Sequence, residues 1–142
     1  MTYKAGMTFL NIPVKDLPRS TAFFKRIGFG FSEPFTDETA ACMIINDNTF
    51  AMLQTEEKFR TFIKKDMVDA SRSAAMIIAV SADSRAHVDE LMERALAAGG
   101  KEYSEPADYG FMYYRCLEDL DGHLWEFSHF DMSRAEQPAT DR

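Results

Sequence analysis

The sequence repeats itself, and a repeat of this kind limits the folds open to it. Phe31-Ser32-Glu33-Pro34 returns as Tyr103-Ser104-Glu105-Pro106, 72 residues further on, and Gly28 and Gly100 keep the same interval. Each tetrapeptide follows a helix-like segment at the same point of a parallel element order. Four residues can match by chance, but their coincidence with that order reads as a duplication.

The first half opens with an alternating run, Met7–Val14. Thr8, Leu10, Ile12 and Val14 fall on one face, and Phe9, Asn11 and Pro13 on the other. Asp16 offers an N-cap, and Pro18 sits in the first turn, where its missing N–H costs little. Leu17, Thr21, Phe24 and Ile27 recur at helical spacing, and Gly28 closes the helix. Short apolar runs follow at 29–31, 40–45 and 49–54. Asn46-Asp47-Asn48 joins the last two as a hairpin.

Residues 55–73 read as a charged connection with a short helix. The second half then predicts a strand over Ala74–Val80 and a helix capped by Asp83 or Ser84. Val88, Leu91, Ala95 and Ala98 share one helix face, and Gly99-Gly100 ends it. A short strand at Tyr103 and a hairpin from 111–117 to 123–129, turned through Asp119–Gly122, complete the half. After Asp131 the tail is polar.

The predicted fold is α+β: one domain over residues 1–142, made of two βαβββ modules. Module one covers about 7–55, the connection 56–73, module two about 74–130, and the tail 131–142. Each module is a sheet with a helix on one face. Paired edge to edge, the two make a curled eight-stranded mixed sheet around a cavity, the natural place for a ligand.

Composition narrows the partners. A hydrophobic share of 46% is enough to build a core, while a net charge of −7 repels phosphate backbones. Nucleic acid is therefore not expected as a partner. No apolar run approaches the ~20 residues that span a bilayer, and the first residues lack a signal-peptide core, so no membrane partner is expected either. Cys42 and Cys116 give no disulfide framework, which fits a reduced, cytoplasmic protein.

Three stretches then carry a resemblance: Asn11-Ile12-Pro13-Val14-Lys15-Asp16-Leu17; Ala22-Phe23-Phe24 with Ile27-Gly28-Phe29; and Asp119-Leu120-Asp121-Gly122-His123-Leu124-Trp125-Glu126-Phe127. From about Met7 to Phe130 the chain resembles the vicinal oxygen chelate superfamily, which includes glyoxalase I, bleomycin-resistance proteins, fosfomycin-resistance enzymes and extradiol dioxygenases. Leu120 stands where the final motif usually has proline. The resemblance implies a homodimer and a divalent metal held by the first strand of each module and by the last strand. Carried over position by position, those ligands fall on Phe9, Ala74 and Glu126, with Met52 as the counterpart of Glu126 in module one. Only Glu126 can bind an ion, so no cofactor is expected. A divalent metal held by shifted residues such as Asn11 or Gln54 is the alternative, and amide oxygens are poor transition-metal ligands.

Glu126 is the candidate catalytic residue, as a general acid or base in an apolar cavity. It also has a structural reading, a cross-strand ion pair with Arg115. Phe9, Asn11, Met52, Gln54, Met76, Tyr113 and Arg115 are the expected ligand-binding residues, an aromatic and Met-rich wall for a planar or apolar molecule. Three functions compete. One is a metal-free small-molecule binder of the bleomycin-resistance kind. The second is a lyase, isomerase or dioxygenase-like enzyme using Glu126. The third is a structural protein whose cavity Phe9 has filled.

Overall fold

The computed structural model describes residues 1–134, which form two compact units divided between Val68 and Asp69. The first unit begins with β1 (Thr8–Val14) and α1 (Leu17–Ile27). The Asp16 carboxylate accepts a hydrogen bond from the Arg19 N–H at 3.1 Å, and Pro18 lies in the first turn, as the sequence predicts. β2 (Gly30–Ser32), β3 (Ala40–Asn46) and β4 (Thr49–Thr55) follow, and α2 (Glu56–Arg60) leaves directly from β4. The sheet order is β1-β4-β3-β2, with β1 parallel to β4 and the other pairs antiparallel. α1 covers one face. Phe23, Phe24 and Ile27 pack there with Ile12, Val14, Met43, Ala51 and Leu53, all buried.

The second unit repeats the order with β5 (Ile77–Ser81), α3 (Arg85–Ala97), β6 (Lys101–Glu102), β7 (Ala107–Asp108), β8 (Met112–Glu118) and β9 (Leu124–Phe130). Its strand order is β5-β9-β8-β6, and β7 also pairs with β8. The α+β class and the doubled βαβββ plan are as expected. The strands number four and five among the described residues, because Ala107–Asp108 adds a short strand to the second sheet.

One strand boundary and one helix face differ from expectation. The strand predicted from Ala74 starts at Ile77, which pairs with Leu124, the first residue of β9. Residues 74–76 would need partners at 121–123, and those residues are a turn. Of the two caps that the sequence offers for α3, Ser84 is the one used: its hydroxyl accepts from the His87 N–H at 3.0 Å. The buried stripe of α3 is Val88, Met92 and Ala95, so Met92 replaces Leu91 and Ala98 at the centre of the packing against Leu117, Trp125 and Phe127.

The turn between β8 and β9 is held by Asp119. Its carboxyl accepts from the backbone N–H groups of Asp121 and His123, each at 2.9 Å, and from the buried Trp125 indole N–H at 3.0 Å. Burial pushes this carboxyl above the usual range. Gly122 turns the chain at φ +98°, and a Cβ there would meet the Ala70 carbonyl oxygen at 2.5 Å. The Asp-Leu-Asp-Gly-His motif therefore builds a turn and seats the 69–72 bend on it.

Candidate ligand-binding site

In the first unit, the sheet face opposite α1 is set by the parallel register of β1 and β4. Phe9 lies beside Phe50, Asn11 beside Met52 and Pro13 beside Gln54. Alternation along each strand puts all six on that face. Phe9, Asn11, Met52 and Gln54, predicted from strand parity, thus come together. Phe50 joins them: its ring stacks on Phe9 with centroids 5.3 Å apart and planes at 21°. Phe50 also alternates with Met52 and Gln54 on β4, and that signal was there to read. Phe9 remains 51% exposed, a large aromatic surface facing solvent.

Gln54 reaches back along the sheet, and its side-chain N–H donates to the Asn11 side-chain Oδ1 at 2.7 Å. The Gln54 side chain is buried, and its Oε1 has no hydrogen-bond partner. A buried acceptor left unmade costs about 1–3 kcal/mol. Native interiors satisfy nearly all such atoms, so this oxygen keeps acceptor capacity that the protein itself does not use.

In the second unit, Glu126 is paired with Ala79 on one side and Cys116 on the other, on the face opposite α3. Glu126 and Cys116 are both buried. The Cys116 thiol is pushed up to about 11, by burial first and then by the charge of Glu126.

The expected Arg115–Glu126 pair does not form. The register places Arg115 opposite Phe127, so the two side chains leave on opposite faces of the sheet. Arg115 points to the helix side. There it grips Glu102 through two hydrogen bonds of 2.8 and 2.9 Å and reaches Asp89 at 3.1 Å and Glu93 at 3.4 Å. Tyr113 shares that side and donates to Asp89 at 2.6 Å, under the Arg85 guanidinium 5.1 Å from its ring. Burial, then the bond to Asp89, pushes the Tyr113 phenol up to about 12. Arg115 and Tyr113 therefore belong to an α3-facing ion cluster, not to the face that holds Glu126. Met76, expected on a strand face, precedes β5 and is exposed.

The metal positions can be matched through the two helix caps. Counting back from Asp16 and from Ser84, Phe9 corresponds to Ile77 and Asn11 to Ala79. The second position thus falls on Ile77, and Ala74 lies outside β5. Met52 beside Asn11 matches Glu126 beside Ala79. Phe, Ile and Met offer no hard or borderline donor, and no group of three His, Cys, Asp or Glu side chains among the described residues is arranged to hold an ion. These residues do not fit a three-ligand divalent site. The histidines are held locally: His87 Nδ1 accepts from the Asp83 N–H at 3.1 Å, and His129 Nδ1 lies 3.1 Å from the Ala82 carbonyl.

The doubled βαβββ plan and its two helix-backed sheets give the chain a fold that it shares with several solved structures. Residues 7–46 match the family model described as bleomycin resistance protein-like N-terminal. Among solved structures, a hypothetical protein of S. aureus is similar at 23% identity, covering 90% of this chain and 95% of its own, with a TM-score of 0.76. A glyoxalase-related enzyme from Fulvimarina pelagi matches at 21% identity over 87% of this chain and 86% of its own, with a TM-score of 0.75. A glyoxalase/bleomycin resistance protein/dioxygenase family enzyme from Burkholderia phytofirmans matches at 17%, over 89% of this chain and 99% of its own, with a TM-score of 0.74. No curated protein matches the chain in sequence. Among the described residues, no helix is long and apolar enough to cross a membrane.

Proposed function

We propose that this chain binds a small organic molecule in the manner of the bleomycin-resistance branch of its fold, and does so without the divalent ion that the fold's enzymes employ. The replacement of metal donors by Phe9, Ile77 and Met52 carries the reading. A stacked aromatic pair and a buried amide with an acceptor to spare give the first unit what a ligand face needs: apolar area and a few fixed polar atoms. A homodimer in a reducing cytoplasm belongs to the same reading. β1 and β5 each end a sheet, Phe9 and Ile77 are about half exposed, and small domains cover such edges.

The test is a thermal-shift screen of chelator-treated protein against hemithioacetals of glutathione, catechols and planar glycopeptide drugs. At least one class is expected to stabilise the protein in the presence of chelator, by about 2.7 kcal/mol at a hundredfold excess over Kd. Stabilisation that appears only after a divalent ion is restored contradicts the reading.

One observation favours a second reading. Glu126 is a buried carboxylate facing a thiol, a setting in which a side chain can serve as general acid or base. In that case E126Q abolishes turnover of a bound molecule while leaving its affinity within a fewfold.

A further inference from the structure

The orphan acceptor in the first unit makes the ligand class more specific. We infer that Gln54 Oε1 reads an N–H or O–H donor on a flat aromatic ligand laid against the Phe9–Phe50 stack. This inference rests on the small-molecule reading above and names what that molecule must present.

Phe9 and Asn11 are two residues apart on β1, so their side chains emerge about 7 Å from each other on one face. Gln54 stands one further pair along, yet its bond to the Asn11 side-chain Oδ1 draws its amide back to the level of Asn11. The aromatic surface and the amide thus lie one side-chain step apart, the reach of a two-ring molecule with a donor on its far edge. Gln54 Nε2 is engaged by Asn11, which leaves Oε1 as the unsatisfied atom of the pair. Asn11, the side chain bonded to that amide, is itself exposed and sits on a strand at the edge of the sheet, so the amide pair borders solvent. The acceptor carries no formal charge, which fits a neutral donor. Phe9 at half exposure supplies a face that water solvates poorly.

Matched probe pairs test this: indole against 1-methylindole, and 2-naphthol against 2-methoxynaphthalene, titrated into nitrogen-15-labelled protein and followed by amide NMR. The donor-bearing members are expected to shift Asn11, Met52 and Gln54 resonances and to bind about tenfold more tightly than their methylated partners, the worth of one hydrogen bond to an otherwise unmade acceptor. Gln54→Met removes the acceptor, and the preference is expected to fall to about onefold while the methylated probes keep their affinity. Gln54→Glu retains acceptor oxygens and keeps the preference, so a folding defect in the first variant leaves the test intact. Phe9→Ala weakens all four probes alike.

Equal binding of methylated and donor probes, or a preference that survives Gln54→Met, overturns the inference. So does binding that perturbs none of the three resonances; in that case the small-molecule reading stands and this acceptor is not its reader. Absence of any binding by the four probes also overturns it, and the broader reading then depends on the chelator screen alone.

Discussion

Replacing Arg115 with methionine tests how the second unit is held. The guanidinium is buried and makes two short bonds to Glu102, with Asp89 and Glu93 behind. Removing one partner of a fully buried pair costs about 3–5 kcal/mol. Here the carboxylates keep contact with water, with side-chain exposures of 27% for Glu102, 49% for Asp89 and 66% for Glu93, so the cost is reduced to about 2–3 kcal/mol. At roughly 2–4 °C per kcal/mol, R115M is expected to lower Tm by about 4–12 °C. The assay is a double-mutant cycle by denaturant unfolding. R115M and E102Q are expected to couple by about 1.5–3 kcal/mol, the range for hydrogen bonds to charged groups. R115M and E126Q, on opposite faces, are expected to be additive within about 0.5 kcal/mol. Strong coupling of Arg115 to Glu126, or none to Glu102, refutes the β8–β9 register that puts the two on opposite faces.

Two other outcomes follow from the same structure. Gly122→Ala forces a side chain into φ +98° and against the Ala70 carbonyl, so it is expected to cost about 2–4 kcal/mol in urea unfolding, whereas Gly30→Ala, with nothing within 4 Å, changes stability little. Tyr113 stays protonated in the fold up to about 12 against an ordinary value of 10.0. The unfolded chain ionises first, so this contribution is complete below pH 10 and is lost as pH rises towards 12; Tyr113→Phe should flatten that loss in alkaline unfolding curves.

How much of this was legible in the sequence depends on which physical signal each part uses. The duplication and the first-unit face were readable because strand alternation has a period of two, and Phe9, Asn11, Met52 and Gln54 obey it on both strands of one ladder. The second unit failed by a single residue. Closing the last hairpin through Leu120-Asp121 puts Arg115 opposite Glu126. The real turn is closed by the Asp119 N–H bonding to the His123 carbonyl, with Gly122 in the left-handed region, so the loop is one residue longer. A one-residue slip sends every side chain to the other face, which is how Arg115 and Tyr113 came to be expected on the side of Glu126. The start of β5 was missed for a related reason: its length is set by where β9 begins, a tertiary fact that the apolar run Ala74–Val80 does not contain. The orphan oxygen of Gln54 could not be read at all, because it depends on which way one amide turns.

The proposal of metal-free binding depends on Phe9, Ile77 and Met52 leaving Glu126 without partners for an ion. Isothermal titration of chelator-treated protein with zinc, nickel, manganese and ferrous ions, the last under anaerobic conditions, addresses it most directly. No saturable one-to-one uptake and no rise in Tm is expected with any of the four. Stoichiometric binding that is lost in E126Q would contradict it.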